Sequence, residues 1–226
     1  RLTTEFMIEG QSTSNEEGFL FTGFRWENRY RLFDYGTFLN PVIYFEYEDL
    51  SNSTMYLMEV SGREDATARA KTRPRERVFE TRFIFGQDIT DNLDISFNWL
   101  NESDLDTGVT AFGYATGINY RLFSFAGRPP KRKTQEPVQK SSGFDITAVA
   151  AGGEARRGSV TFGLELYGGL GDSDKGITAE GAVTSHYLAP NFLIRTNSGL
   201  IIKLGGSIGL TNVSQDLIRG AIAWEF

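Results

Sequence analysis

The chain has 226 residues, no cysteine, one histidine and a net charge of −6, with a mean hydropathy of −0.29. The lack of cysteine excludes a disulfide framework, a thiolate metal site and a cysteine nucleophile, and the acidic balance is the opposite of the basic footprint of a nucleic-acid binder. No apolar run approaches the roughly 20 residues that a membrane-spanning helix needs, whereas 25 glycines, 18 phenylalanines and only 6 prolines suit many strands joined by tight turns.

Side chains alternate between the two faces of a strand, and that period of two recurs along the chain. In "FRWENRYRLF" Phe24, Trp26, Tyr30 and Leu32 share a face interrupted by Asn28, opposite Arg25, Glu27, Arg29 and Arg31. "TFLNPVIYFEYEDL" sets Leu39, Ile43, Phe45 and Tyr47 against Asn40, Tyr44, Glu46 and Glu48. "VFETRFIFGQ" opposes Phe79, Phe83 and Phe85 to Glu80 and Arg82, and "LDISFNWL" opposes Leu93, Ile95, Phe97 and Trp99 to Asp94, Ser96 and Asn98. In "FGYATGINYRL" an apolar set from Phe112 to Leu122 faces Gly113, Ala115, Gly117, Asn119 and Arg121. "VTFGLELYGGL" and "LIIKLGGSIGL" repeat the pattern, with Glu165 and Tyr167, then Lys203, Gly205 and Ser207, on the polar side. No stretch has the period of a long amphipathic helix, and no repeat or second domain is visible. Residues 1–226 are therefore expected to form one all-β domain, with a basic, proline-containing loop insertion near 124–143.

Two architectures use such strands. A soluble sandwich or lipocalin-like carrier turns its apolar face inward, and an outer-membrane barrel turns it to lipid. Segments of about ten residues, aromatic residues near segment ends and polar faces mixing Gly, Ala and Ser with ionic groups favour the membrane barrel. The chain opens at Arg1 without a charged and then apolar leader, so a secretory leader is expected to have been removed.

The ending "IRGAIAWEF" resembles the terminal strand of bacterial outer-membrane β-barrel proteins, whose final aromatic residues are read by the barrel-assembly machinery. Phe226 and Trp224 occupy the aromatic positions and Arg219 the polar one, while Ala221 stands where that family has glycine and Gly220 lies one residue early. "FGQDITDNLDISF" resembles a short periplasmic hairpin of this class, and "SHYLAP" with the two strands after it resembles poorly characterised outer-membrane barrels described as transporters. The resemblance implies an integral barrel of a Gram-negative outer membrane, in contact with its lipid and inserted by that machinery.

Counting back from a periplasmic Phe226 puts "TNVSQ" outside, "TNSG" inside and "GDSDKGITAE" outside, and an antiparallel transmembrane β-barrel of about ten strands fits with "DITDN" and "RPPKRKTQEPVQKSS" periplasmic. Counting "MYLMEVSG" and "FDITAVAA" as two more strands gives twelve and moves "DITDN" and the basic insertion outside. Ten is preferred.

The polar faces would line the lumen. Their basic members are Arg25, Arg29, Arg31, Arg82, Arg121, Lys203 and Arg219, and their acidic members are Glu27, Glu46, Glu48, Glu80, Asp94, Glu165 and Glu225. Charge on this list is nearly balanced, so pairing across a narrow interior is expected, rather than the single sign of a charge-selective pore. Arg25, Arg29 and Arg31 form a ladder that either grips a carboxylate or phosphate ligand or is neutralised by Glu46 and Glu48. His186 falls in the outward set with Leu188 and Phe192 and reads as an interfacial or loop histidine. With no nucleophile and base at a telling spacing, no metal-ligand pattern and no phosphate-binding glycine loop, no catalytic residue, metal or cofactor is assigned. The basic insertion reads as a solvated loop or a partner-binding segment. The expected activity is passive passage of small hydrophilic solutes through a narrow pore. The alternative is a closed structural barrel that anchors partner proteins.

Overall fold

A computed structural model describes residues 1–11, 20–34, 37–51, 75–125, 158–180, 184–214 and 216–224. Every regular element among them is a strand: β1 Leu2–Gln11, β2 Leu20–Arg31, β3 Val42–Ser51, β4 Arg75–Asp88, β5 Leu93–Asp104, β6 Thr110–Ser124, β7 Ser159–Asp172, the short β8 Gly176–Ile177, β9 His186–Arg195, β10 Leu200–Gly209 and β11 Leu217–Trp224. Aromatic and branched residues alternating with polar ones suit a pleated sheet with two unlike faces, and these segments carry that pattern.

The ten long strands form one antiparallel sheet in which each pairs with the next in sequence, while β8 pairs only with β7. Among the described residues the long strands number ten. β3 pairs directly with β4 and β6 directly with β7; "MYLMEVSG" and "FDITAVAA", like most of the 124–143 insertion, lie outside the described residues. An even number of long strands brings both termini to one end of the sheet. The tight turns at 89–92 and 196–199 share that end, as does the departure point of the insertion after β6.

The faces are inverted relative to a soluble protein. Phe6, Ile8, Trp26, Phe45, Phe83, Phe97, Ile118, Phe192 and Leu204 are exposed on one face, Phe6 at 62% and Ile8 at 70%. Arg25, Glu27, Glu46, Glu48, Glu80, Glu102, Glu165 and Asn191 are buried on the other. Among the described residues, apolar burial on that same inner face is limited to Ala111 and three small clusters: Leu100, Ala115, Tyr167 and Ala189; Tyr44 with Ile84; and Leu50 with Val78.

The strands are strongly staggered. One row of directly opposed residues runs Leu2, Tyr30, Ile43, Phe83, Trp99, Tyr114, Gly168, His186, and the His186 carbonyl accepts a hydrogen bond from Leu210 N at 2.8 Å. Leu2 opens β1 at the end that holds the termini, whereas His186 opens β9 at the opposite end. A drift of a whole strand length across the sheet is the stagger of a sheet that coils.

Candidate functional site

The polar face is densest on β2 to β5, where register stacks charge on charge. Glu5, Glu27, Glu46, Glu80 and Glu102 are opposed in turn across β1 to β5, forming one row of five carboxylates. The next row toward the termini holds Arg29, Tyr44 and Arg82, and the row on the other side holds Arg25, Glu48 and Asp104. Like charges directly opposite one another destabilise a sheet, and buried ones need partners. The two flanking rows supply them.

Arg25 Nη1 lies 3.1 Å from Glu48 Oε1 and 3.6 Å from Glu46 Oε1. Arg29 pairs with Glu27, and Arg82 grips Glu80 with two nitrogens, Nη2 donating to Oε2 at 2.9 Å. The Tyr44 hydroxyl donates to Glu46 and lies 3.3 Å from Glu27 Oε2. Its ring sits between two guanidiniums, with Arg82 Cζ 4.6 Å and Arg29 Cζ 5.5 Å from the centroid, a cation–π arrangement strengthened by loss of water. Val42 with Ile84, and Leu50 with Val78, pack to either side of the charged rows. Glu46 is only 1% exposed and Glu80 6%.

Pairing of charges on the polar face is therefore observed for Arg25, Glu27, Arg29, Glu46, Glu48, Glu80 and Arg82. Arg25 and Arg29 of the arginine ladder are neutralised by carboxylates, Arg25 by the two expected, Glu46 and Glu48. Strand extension changes the charge balance read from the sequence. β4 begins at Arg75 and β5 runs to Asp104, which adds buried Glu76, Glu102 and Asp104, and Glu5 joins by register. On β1 to β5 the inner-face carboxylates Glu5, Glu27, Glu46, Glu48, Glu76, Glu80, Asp94, Glu102 and Asp104 outnumber the arginines Arg25, Arg29, Arg31 and Arg82. Carboxylate oxygens of Glu46, Glu48 and Glu80 converge within 4.8 Å of one another. That is a donor set suited to a hard cation, but the guanidiniums of Arg25 and Arg82 already occupy its flanks.

The remaining predicted residues are spread more thinly. Glu165 on β7 accepts from Asn191 Nδ2 at 3.1 Å and lies 3.8 Å from Lys203 Nζ on β10. Asp94 accepts from Asn119 Nδ2 at 2.8 Å. Gly163 separates Asn119 from Asn191, and a Cβ there would meet their side-chain oxygens at 2.8 and 2.7 Å; glycine is what lets the two amides approach. Arg31 and Arg121 are half-buried near the terminal end of their strands. Arg219 stands opposite Gly205 and Trp224 opposite Leu200 in the β10–β11 ladder, while Glu225 and Phe226 lie outside the described residues.

Tyr167, whose role the alternation does not announce, fills the inner face of β6 to β10. Its ring stacks on Tyr187 at 5.0 Å and its hydroxyl donates to Ser207 Oγ at 2.7 Å, reaching past β9. His186 sits on the outward face, where the Tyr114 hydroxyl lies 3.1 Å from Nδ1 and Thr184 Oγ1 2.9 Å from Nε2. Both ring nitrogens are engaged in tying β6 to the connection before β9. Compared with known proteins, the chain matches no family model, no curated protein and no solved structure.

Proposed function

We propose that this chain is an integral β-barrel protein of a bacterial outer membrane, and that its barrel is closed by its own side chains and serves to anchor partner proteins. The single observation that carries this reading is the inverted sheet: the apolar face is exposed and the ionic face is buried. Water rewards the opposite arrangement, and a lipid exterior with a polar interior rewards this one. Trp224 and Phe226 then serve as the insertion signal for the assembly machinery, and outer-membrane lipid is the partner of the exposed face. The end that carries the termini is periplasmic, and the insertion near 124–143 leaves from it toward protein partners. Near-complete burial of the ion-paired rows, flanked by apolar pairs, supports a filled interior; side chains just fill a barrel of about eight strands, and here long paired ionic side chains fill the added width of two more.

Recording the purified, detergent-folded protein in a planar bilayer tests this, with heat-modifiable gel migration as the folding control. Inserted protein is expected to stay silent. Discrete, salt-dependent conductance steps would overturn the closed barrel, and clean partition into the aqueous phase during detergent phase separation would overturn the membrane assignment.

The second reading is a narrow channel for small hydrophilic solutes, favoured by the carboxylate excess on β1 to β5. Such a channel would pass cations in preference to anions. Arg29→Ala would leave that sign unchanged, because the arginine is already neutralised.

A further inference from the structure

Of the cations on the described strands, Arg75 and Arg77 on β4 alone stand on the outward, apolar face; the others, from Arg25 on β2 to Arg219 on β11, hold inner positions in their ladders. We infer that these two guanidiniums form a site for the phosphate of a lipid headgroup, in the leaflet at the end of the barrel away from the termini. This rests on the membrane reading above and adds a particular lipid chemistry at one place on the lipid-facing surface.

The strand pattern sets the level of the pair. β4 carries Arg75, Arg77 and Phe79 outward in succession, so its face changes from ionic to apolar between Arg77 and Phe79. Phe79 stands opposite Tyr47, and Tyr47 opposite Trp26. Aromatic rows of this kind gather where hydrocarbon meets headgroups. The two arginines lie one and two rows beyond it, on the side away from the termini.

Carboxylates on either side hold the guanidiniums in place. Arg75 donates from Nε to Asp49 Oδ1 at 2.8 Å and from Nη2 to the Asp49 carbonyl at 3.0 Å. Arg77 donates from Nε to Asp106 Oδ1 at 3.1 Å and pairs with it through Nη2 as well. Asp106 is itself fixed by the β5–β6 turn, where the buried Asp104 Oδ1 accepts from Asp106 N at 2.8 Å. Among the described residues neither Nη1 is engaged, so each guanidinium keeps one donor edge. Two residues apart on one face of a strand is about 6.6 Å, a span that one phosphate bridges by accepting a charge-assisted hydrogen bond from each arginine. Charge then decides between a lipid and a free anion. Two arginines and two aspartates cancel, so the cluster has no net field to draw phosphate from bulk water. A headgroup is delivered along the membrane plane instead, with its acyl chains on the apolar rows below holding the phosphate at high effective concentration, and at a level where water is scarce such bonds are strong.

The test mixes the detergent-folded full chain with phosphatidic acid or with diacylglycerol of the same acyl chains, and counts bound lipid by native mass spectrometry. Phosphatidic acid is expected to be retained about tenfold over diacylglycerol, the difference that hydrogen bonds to a charged group supply. Arg75→Gln/Arg77→Gln is expected to abolish that preference, and Lys175→Gln, at an exposed cation of the β7–β8 turn, to keep it. Heat-modifiable migration shows that each variant is folded, and exposed pairs of this kind contribute little to folding. Equal retention of the two lipids by the unaltered chain overturns the inference, as does a preference that survives in the double arginine variant or is lost equally in Lys175→Gln. Displacement of phosphatidic acid by inorganic phosphate overturns the lipid as the source. Lipid bound without regard to headgroup leaves the membrane reading standing while this inference fails, and no lipid bound at all removes both. Neither result depends on the silence or conductance that tests the closed barrel.

Discussion

The inner face of β2 to β5 and that of β6 to β10 solve one problem with different chemistry. The first is packed with guanidinium–carboxylate pairs around the Tyr44 ring, and the second chiefly with small residues, amides and the stacked rings of Tyr167 and Tyr187, with the single pair Glu165–Lys203. Facing residues explain the difference. On β6 to β10 the inner positions include Ala111, Gly113, Ala115, Gly117, Gly163 and Gly205, whose lack of bulk leaves room for Tyr167 to reach Ser207 and for Asn119 to meet Asn191 over Gly163. On β2 to β5 every strand carries long ionic side chains at matching levels, so each must find its counter-charge among immediate neighbours. Contacts of the ionic half are thus mutually dependent, whereas those of the small-residue half depend on shape.

The comparison is broken most forcefully at Glu80. Glu80→Ala leaves Arg82 buried beside Tyr44 without its bidentate partner, and loss of one member of a buried pair costs about 3 to 5 kcal/mol; the urea midpoint of the folded protein should fall accordingly, with Glu80→Gln falling less because the amide oxygen still accepts a hydrogen bond. In the other half, Tyr167→Ala removes the filling side chain and should cost about 3 kcal/mol through the cavity, while Tyr167→Phe, which loses only the hydrogen bond to Ser207, should cost about 1 kcal/mol. If Tyr167→Phe proved as damaging as Tyr167→Ala, the second half would depend on polar contacts as the first does. The smallest effect is expected outside both halves: Arg77 pairs with Asp106 in an exposed position at the end away from the termini, and Arg77→Ala should leave the unfolding midpoint unchanged, as surface pairs usually do.

Much of this was legible in the sequence. Alternation identifies the inner and outer faces of β2 to β7 and β10, because a period of two needs no knowledge of neighbours. It also places His186 outward and names Arg25, Glu27, Arg29, Glu46, Glu48, Glu80 and Arg82 as inner residues. Glu76, Glu102 and Asp104 are missed because they lie beyond the apolar runs that mark a strand, in the extensions where the exposed face also turns polar, at Arg77, Asn101 and Ser103. Glu5 belongs to β1, where Met7 interrupts the polar set.

What the sequence determined by itself was the all-β class, the two unlike faces and a strand number near ten, since these follow from local periodicity and turn residues. Which charges meet was decided only by the tertiary structure. A one-residue change of register on any one strand would turn its inner side chains to the outer face, and a two-residue change would keep the faces while moving Glu27, Glu46, Glu80 and Glu102 out of a common row. Nothing in any single strand specifies that row; it exists because four successive ladders agree in register, and the arginines one row to either side make the agreement stable.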